Sequence, residues 1–240
     1  MRRTTMRKLM RLGVSVVAAA ATLGLLAPAA SADEAVSISA AEEAASRAFM
    51  TEFGVPADTQ DELLASLKEG DLGLANDPDA GPVSVETEVR DGSTFEISRY
   101  FDGSIEVTER EIPTAAEPGV ITPYAVTGCS VSGGSGYSNY TGCKIHYRTH
   151  VFSYGFYANF TLVQGYYNDQ ITRAYSQFQE YAVGHTRDSW SLRVLKATET
   201  SSGPAHAELA IQYTIYPGIG QVAKGVRLKV GSNTYWQENS

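Results

Sequence analysis

Residues 83–110 read VSVETEVRDGSTFEISRYFDGSIEVTER and carry the clearest secondary-structure signal in the chain. Apolar and polar side chains alternate along three short runs, which is the period of a β-strand with one buried face. The pairs Asp91-Gly92 and Asp102-Gly103 separate the runs, and Asp-Gly is favoured in tight turns between antiparallel strands. The stretch therefore predicts a three-stranded antiparallel meander, with its valines, Phe95, Ile97 and Ile105 on one face and its charged residues on the other.

Two helices are predicted before the meander. Ser39 followed by Glu42 matches a capping box, and apolar residues at helical spacing run from there to Gly54. A second, shorter helix is expected to follow, with Asp58 or Thr59 as its N-cap and Gly70 at its end. Because an apolar sheet face needs a covering layer, we expect both helices to pack on the meander. These elements together predict a small α+β module.

Charged and aromatic residues are distributed unevenly along the chain. Residues 33–112 carry 20 acidic, 5 basic and 5 aromatic side chains, whereas residues 113–240 carry 7 acidic, 9 basic and 19 aromatic side chains. The segment between the two folded regions contains Pro113, Pro118 and Pro123, which indicates an extended linker. We therefore predict an acidic α+β module at 33–112, a Pro-rich linker at 113–127 and a second domain at 128–240.

The second domain is predicted to be all-β. Its sequence is rich in Gly, Tyr and Thr, and long β-favouring runs alternate with glycine turns. Residues 171–183 are ambiguous, because their apolar residues fit a helix and fit strand alternation only in part. The β-rich surroundings favour a strand there. The predicted architecture is an antiparallel sandwich or a small barrel.

The N-terminus predicts secretion. Residues 1–32 combine five basic residues, an apolar run over 14–27 and the small-residue cleavage site Ala30-Ser31-Ala32, which is the pattern of a signal peptide. Arg2-Arg3 leaves twin-arginine export as an alternative route. The apolar run is shorter than a membrane span, so we expect an extracellular protein with no membrane association after cleavage.

The two cysteines are predicted to form one disulfide. Cys129 and Cys143 are the only cysteines in the chain, and the compartment beyond the membrane is oxidising. A catalytic cysteine is the alternative, but neither residue is left over to act as a free thiol. The bridge would close a Gly- and Ser-rich loop that has little apolar surface of its own.

Catalytic and metal-binding motifs are not recognised. His146 and His150 have the four-residue spacing of a zinc pair on a helix, but on a strand they would lie about 13 Å apart at about 3.3 Å per residue. His185, Asp188 and Ser189 offer the ingredients of nucleophilic catalysis, yet their close spacing favours a loop with local hydrogen bonds. We therefore predict no cofactor, no metal and no catalytic residue. The acidic balance, −8 overall, argues against nucleic acid as a partner.

The feature that favours a function is the density of aromatic residues after position 150. Exposed Tyr and Trp side chains suit stacking on sugar rings or anchoring a protein partner, because each combines a large apolar face with a polar group. The alternative is that these rings are ordinary core. The predicted binding residues are Tyr157, Tyr166, Tyr167, Trp190 and Trp236.

These observations predict a secreted, non-catalytic binding or interaction protein. Its predicted partner is a cell-wall fraction, an extracellular polysaccharide or another protein. The rival hypothesis is a small secreted hydrolase whose acidic region is a pro-segment. Several carboxylates in residues 128–240 permit a glycosidase by number, but nothing in the sequence pairs two of them.

Short strings spread over most of the mature chain carry a family resemblance. They include Phe53-Gly54-Val55, Pro82-Val83-Ser84, Asp102-Gly103-Ser104, Gly128-Cys129, Gly142-Cys143-Lys144 and Gly203-Pro204-Ala205. In these strings the chain resembles a group of actinobacterial secreted proteins of unknown function. The resemblance implies no catalytic residues. It implies that both parts of the chain belong to a single recurring unit.

Overall fold

The computed structural model describes residues 36–115, 128–165, 167–215 and 220–239. The predicted signal peptide, residues 116–127 of the predicted linker and Tyr166 lie outside the described residues. The described residues fall within one compact unit.

Both predicted helices are present. Helix α1 spans Ala40–Glu52, and the Ser39 hydroxyl accepts from the Glu42 backbone N–H while the Glu42 carboxylate accepts from the Ser39 N–H. This confirms the capping box. Helix α2 spans Ala57–Lys68, and its N-cap is Pro56 without a side-chain cap. The predicted caps Asp58 and Thr59 are therefore wrong, because proline, with its fixed φ and no N–H to satisfy, starts this helix earlier. A short 3₁₀ helix, Leu74–Asn76, follows.

The predicted meander is also present, as β1 (Ser84–Arg90), β2 (Ser93–Arg99) and β3 (Ile105–Glu111). Adjacent strands pair antiparallel. The helices cover it as expected, since one buried cluster combines helical and strand residues: Phe49, Met50, Phe53, Val55, Leu63, Leu64, Phe95, Ile97, Ile105 and Val107.

The predicted face of β1 is wrong. Glu86 lies opposite Ile97, and Glu88 lies opposite Phe95, so the glutamates of β1 share a face with the core residues of β2. The valines Val85 and Val89 project to the other side and are 55% and 64% exposed. The physical reason is the two-residue turn, which sets Arg90 opposite Ser93 and thereby fixes the register.

The meander continues into a larger sheet. Strand β3 pairs antiparallel with β6 (Tyr137–Thr149), so the strands before and after the predicted linker lie side by side. The larger sheet has eight strands in the described residues. Its remaining members are β4 (Thr114–Ala115), β5 (Ser130–Gly134), β6 (Tyr137–Thr149), β7 (Phe152–Val163) and β8 (Gln170–Ala182).

Two strands of this sheet lie in segments that the sequence leaves as a linker or as ambiguous. Thr114 and Ala115, at the start of the predicted linker, form β4 and pair parallel with β5. Residues 171–183 fall almost wholly in β8, which confirms the strand. Irregularities in the pairing of β7 with β8 explain the imperfect alternation there, because each extra residue on one strand reverses the face of the residues that follow.

A second sheet of four antiparallel strands follows. It consists of β9 (His185–Lys196), β10 (Ala205–Ile215), β11 (Gly220–Gly231) and β12 (Thr234–Asn239). The loop predicted at His185, Asp188 and Ser189 is wrong, because these residues lie in β9. His185 and Ser189 pair with β10, and Asp188 lies at an irregularity in that pairing.

One buried cluster contains residues of both sheets. Phe152 of β7 and Tyr213 of β10 place their ring centroids 4.9 Å apart, and the Tyr154 hydroxyl donates to the Gly225 carbonyl of β11 at 3.2 Å. Alternate residues of β7, including Tyr154, Phe156, Ala158 and Phe160, belong to this cluster. The larger sheet therefore has an inner face toward the four-stranded sheet and an opposite, outer face.

The predicted disulfide joins Cys129 to Cys143 and is buried. It connects the residue before β5 with β6, across the Gly- and Ser-rich hairpin. No helix in the described residues is long and apolar enough to cross a membrane.

Candidate functional site on the outer face of the larger sheet

The structure places the predicted binding aromatics on different surfaces. Tyr157 lies on the outer face of the larger sheet, because its neighbours Phe156 and Ala158 belong to the shared core. Trp236 lies on the side of the four-stranded sheet opposite Tyr235, which packs on the core. The described members of the predicted set therefore do not form one platform.

The other two described residues of the predicted binding set, Trp190 and Tyr167, lie at further positions in the fold. Trp190, on β9, packs partly against the shared core and is covered by the Arg187 guanidinium, which lies 3.7 Å from the ring centroid. Tyr167 follows β7 and is 51% exposed.

Tyr157 has aromatic neighbours that were not predicted as binding residues. Its ring centroid lies 6.2 Å from that of Tyr175 and 5.8 Å from that of Phe178, both on β8. All three side chains are partly exposed. We call Tyr157, Tyr175 and Phe178 the aromatic row.

Cationic and hydrogen-bonding groups border the aromatic row at both ends. The Arg173 guanidinium lies 4.5 Å from the Tyr175 ring centroid, and Lys144 Nζ lies 5.8 Å from that of Phe178. The Tyr175 hydroxyl donates to Asn159 Oδ1 at 3.3 Å. The rings are therefore held by contacts along the sheet and are flanked by polar groups of Arg173, which is exposed, and of Asn159 and Lys144, which are partly exposed.

A polar cluster continues from the Phe178 end of the row. His146 meets the Phe178 ring edge-on at a centroid distance of 5.2 Å. Its Nδ1 lies 3.0 Å from Glu109 Oε2 and its Nε2 lies 2.9 Å from Ser153 Oγ. The Ser153 hydroxyl in turn donates to Glu180 Oε2 at 2.7 Å.

Both carboxylates of this cluster are held in the ionised form. Burial raises the pKa of Glu109, but hydrogen bonding to His146 and the charge of Lys144 outweigh it and lower the pKa to about 2. His146 Nε2 also lies 3.5 Å from Glu180 Oε2, and this contact lowers the pKa of Glu180 to about 2 against the opposing effect of burial. The Lys144 ammonium also forms an ion pair with Glu109 at 3.0 Å.

The order Glu109, His146, Ser153 resembles a catalytic triad in composition but not in hydrogen-bond direction. A triad serine donates its proton to the histidine that activates it. Here the Ser153 hydroxyl donates its single proton to Glu180 Oε2, so this proton is not directed to His146 Nε2, which lies 2.9 Å from Ser153 Oγ. Ser153 is also fully buried. The cluster therefore positions charged groups beside the aromatic row instead of presenting a nucleophile.

The two histidines considered as a metal pair are in different surroundings. His146 lies on β6 within the cluster above, whereas His150 follows the strand and is fully buried with no hydrogen-bond partner for either ring nitrogen. Among the described residues, no group of three or more His, Cys, Asp or Glu side chains could hold a metal ion.

Sequence analysis did not identify Tyr175, Phe178 or the carboxylate Glu180 as site residues. The pairing irregularities of β8 hide them, because strict alternation assigns residues of 171–183 to the wrong face. Nor does any local signal bring Glu109 to His146, since the contact depends on the pairing of β3 with β6.

Comparisons with known proteins add no functional information. No protein-family model matches the chain, and no curated protein matches it. Among solved structures, the chain is similar to a hypothetical protein, lmo2686, from Listeria monocytogenes EGD-e. The identity is 16% and the TM-score is 0.34, over 62% of this chain and 94% of the other.

Proposed function

We propose that the protein is a secreted, non-catalytic binding protein that recognises an extracellular polysaccharide through the aromatic row. The observation that supports this most directly is the alignment of three partly exposed rings, Tyr157, Tyr175 and Phe178, along two neighbouring strands. Aromatic faces supply large apolar contact area at little conformational cost, and their polar edges remain hydrated.

The borders of the row favour a saccharide over a protein partner. A protein-binding surface has a contiguous apolar centre with a polar rim. The aromatic row instead has hydrogen-bonding groups beside each ring, from Arg173 and Asn159 at one end to Lys144 and Glu180 at the other. Sugar hydroxyls need donors and acceptors at such positions while the ring faces stack.

Secretion and the sandwich architecture belong to the same proposal. The disulfide Cys129–Cys143 supports an oxidising compartment. Contacts such as Phe152 with Tyr213 support two sheets packed face to face. The resemblance to actinobacterial secreted proteins fits this proposal.

Two observations weigh against the hydrolase hypothesis. Ser153 is buried and donates to Glu180 instead of His146. In addition, the acidic region contributes β1 to β3 to the larger sheet, so its removal as a pro-segment would expose the β6 edge that pairs with β3. A mature secreted form that begins near residue 33 supports the proposal, and one that begins near residue 128 contradicts it.

The binding test is a pull-down of the mature protein with insoluble polysaccharides such as cellulose, chitin and peptidoglycan. Alanine at Tyr157, Tyr175 or Phe178 is expected to weaken binding by about 1–3 kcal/mol, the range of an aromatic anchor. Trp236→Ala and Tyr167→Ala are matched controls, because these aromatics lie on other surfaces and should leave binding unchanged. The proposal would be contradicted if the wild type bound none of these polysaccharides, or if the control variants lost as much binding affinity as the variants of the aromatic row.

A further inference from the structure

A cleft of about 460 Å³ opens on the inner face of the larger sheet, the side opposite the aromatic row. Its lining comes from the segment around the 3₁₀ helix, from the larger sheet and from β11. Two charged side chains, Glu106 and Lys224, face this cleft together with the tyrosines Tyr100, Tyr147 and Tyr154. Its volume lies within the range of about 300–1,000 Å³ that is typical of small-molecule sites.

The Asn239 side chain, which also lines the cleft, hydrogen-bonds to the Glu106 carboxylate, but the hydrogen bonds from two tyrosines to this carboxylate are long. The hydroxyls of Tyr100 and Tyr147 both approach Glu106 Oε2 at 3.4 Å. A hydroxyl bound to a carboxylate usually lies about 2.5–2.7 Å away. The Tyr147 hydroxyl is moreover shared with the Ala75 carbonyl at 3.3 Å. A ligand that donates hydrogen bonds could therefore approach Glu106 more closely than these two tyrosine hydroxyls do.

The ammonium of Lys224 is on the other side of the same cleft. It donates to the Asn76 carbonyl at 2.6 Å, which uses one of its three donors. Within the described cleft, no ion pair joins Lys224 to Glu106. Burial raises the pKa of Glu106 and lowers the pKa of Lys224, so each group is poorly solvated in its charged form. The negative charge of Glu106 and, to a smaller extent, that of the exposed carboxylate of Asp77 partly offset the effect of burial on Lys224.

We propose that this cleft binds a small zwitterion, an amino acid or short peptide, with its ammonium on Glu106 and its carboxylate on Lys224. The buried rings of Tyr147 and Tyr154, 5.2 Å apart between centroids, line the cleft. Val222, Ala75 and Pro78 provide apolar surface for a short body between the two charges.

The charges of the cleft select this class over its simpler relatives. A simple amine leaves Lys224 without a counter-ion and is repelled by its positive charge. A simple carboxylate leaves Glu106 without a counter-ion and is repelled by its negative charge. A neutral sugar satisfies neither charge. A zwitterion pairs both groups at once.

Titration calorimetry of the mature protein tests the proposal without any variant. The probes are alanine, dialanine and trialanine, which increase the distance between ammonium and carboxylate, with the N-acetyl and methyl-ester derivative of each. We expect one of the three lengths to bind best. The N-acetyl group or the methyl ester on that compound should each weaken its binding by about tenfold or more, which is about 1.4 kcal/mol. The proposal is overturned if none of the three uncapped compounds binds, or if the N-acetyl and methyl-ester forms bind as tightly as the uncapped compound.

Variants then assign the two ends. Glu106→Gln should weaken binding of the uncapped peptide by about tenfold and leave binding of its N-acetyl form unchanged. Lys224→Met should weaken binding of the uncapped peptide to the same extent and leave binding of its methyl ester unchanged. Glu96→Gln and Lys68→Met are matched controls outside the cleft. Equal affinity in the wild type and both cleft variants overturns the proposal. Polysaccharide binding on the outer face should be unaffected by these changes, so the two proposals fail independently.

Discussion

Val107 of β3 lies directly opposite Arg148 of β6, so the acidic and the aromatic-rich regions share one sheet. Arg148 also reaches the helices. Its guanidinium lies 4.9 Å from the Phe53 ring centroid and donates to the Glu52 carboxylate at 2.9 Å. The strong difference in composition on either side of 113–127 therefore coexists with direct contacts between the two regions.

The first prediction concerns cleavage between residues 116 and 127. We expect proteases to cut the chain first in this Pro-rich segment, and we expect the two fragments to remain associated, because β3 still pairs with β6. The disulfide cannot hold them, since both cysteines lie in the C-terminal fragment. Size-exclusion chromatography of the nicked protein measures this. Separation of the fragments under native conditions would show two independent domains.

The second prediction concerns the disulfide. Native protein should take up no alkylating reagent, because Cys129 and Cys143 are bridged and buried. Replacing both by Ser should lower the free energy of unfolding by about 2–5 kcal/mol, the range for small secreted domains. Urea unfolding of the double variant tests the magnitude. Labelling of the oxidised native protein at both positions would be inconsistent with the bridge.

The third prediction concerns pH. Burial lowers the pKa of His150 from 6.5 to about 4. The folded protein thus binds fewer protons at this site than the unfolded chain, so the stabilising contribution is present above about pH 6.5 and is lost as the pH falls toward 4. By pH 5 the loss is about 2 kcal/mol.

Urea unfolding at several pH values measures this loss, and His150→Phe should reduce it while other groups titrate as before. A second measurement, the NMR titration of the His150 ring in the wild type, does not depend on whether the variant folds. A ring that titrates near pH 6.5 would contradict the prediction.

The fourth prediction concerns the support beneath the aromatic row. A Cβ atom on Gly155 would collide with the Ile145 carbonyl of β6 and would lie 2.7 Å from the Phe178 ring. Gly155→Ala should therefore destabilise the protein by at least about 1–3 kcal/mol, the usual cost of overpacking, and weaken polysaccharide binding. Gly81→Ala is the control, because its Cβ meets open space. A melting temperature equal to that of the control would rule out this packing.

The parts of the fold that were predictable are those with local signals. The Ser39 and Glu42 pair marks α1 because a cap satisfies backbone groups within one turn. The Asp91-Gly92 pair marks its hairpin because both residues adopt positive φ. In each case the residues that predict the element also form its cap or its turn.

The parts that were not predictable depend on distant partners. Nothing near Val107 indicates that Arg148 is its neighbour, and the site of Glu109 and His146 follows from that pairing. Val85 alternates as a core residue does, yet the register of a two-residue turn turns it outward at the sheet edge. The aromatic row was missed for a related reason, because the irregular pairing of β8 breaks the alternation that would have placed Tyr175 beside Tyr157.

The most direct test of the central claim is NMR chemical-shift mapping with a soluble oligosaccharide of the polysaccharide that the protein retains. The account predicts that the perturbed resonances belong to Tyr157, Tyr175, Phe178 and their neighbours on β7 and β8, with Trp190 and Trp236 unchanged. Perturbations confined to the four-stranded sheet, with none at the aromatic row, would contradict it.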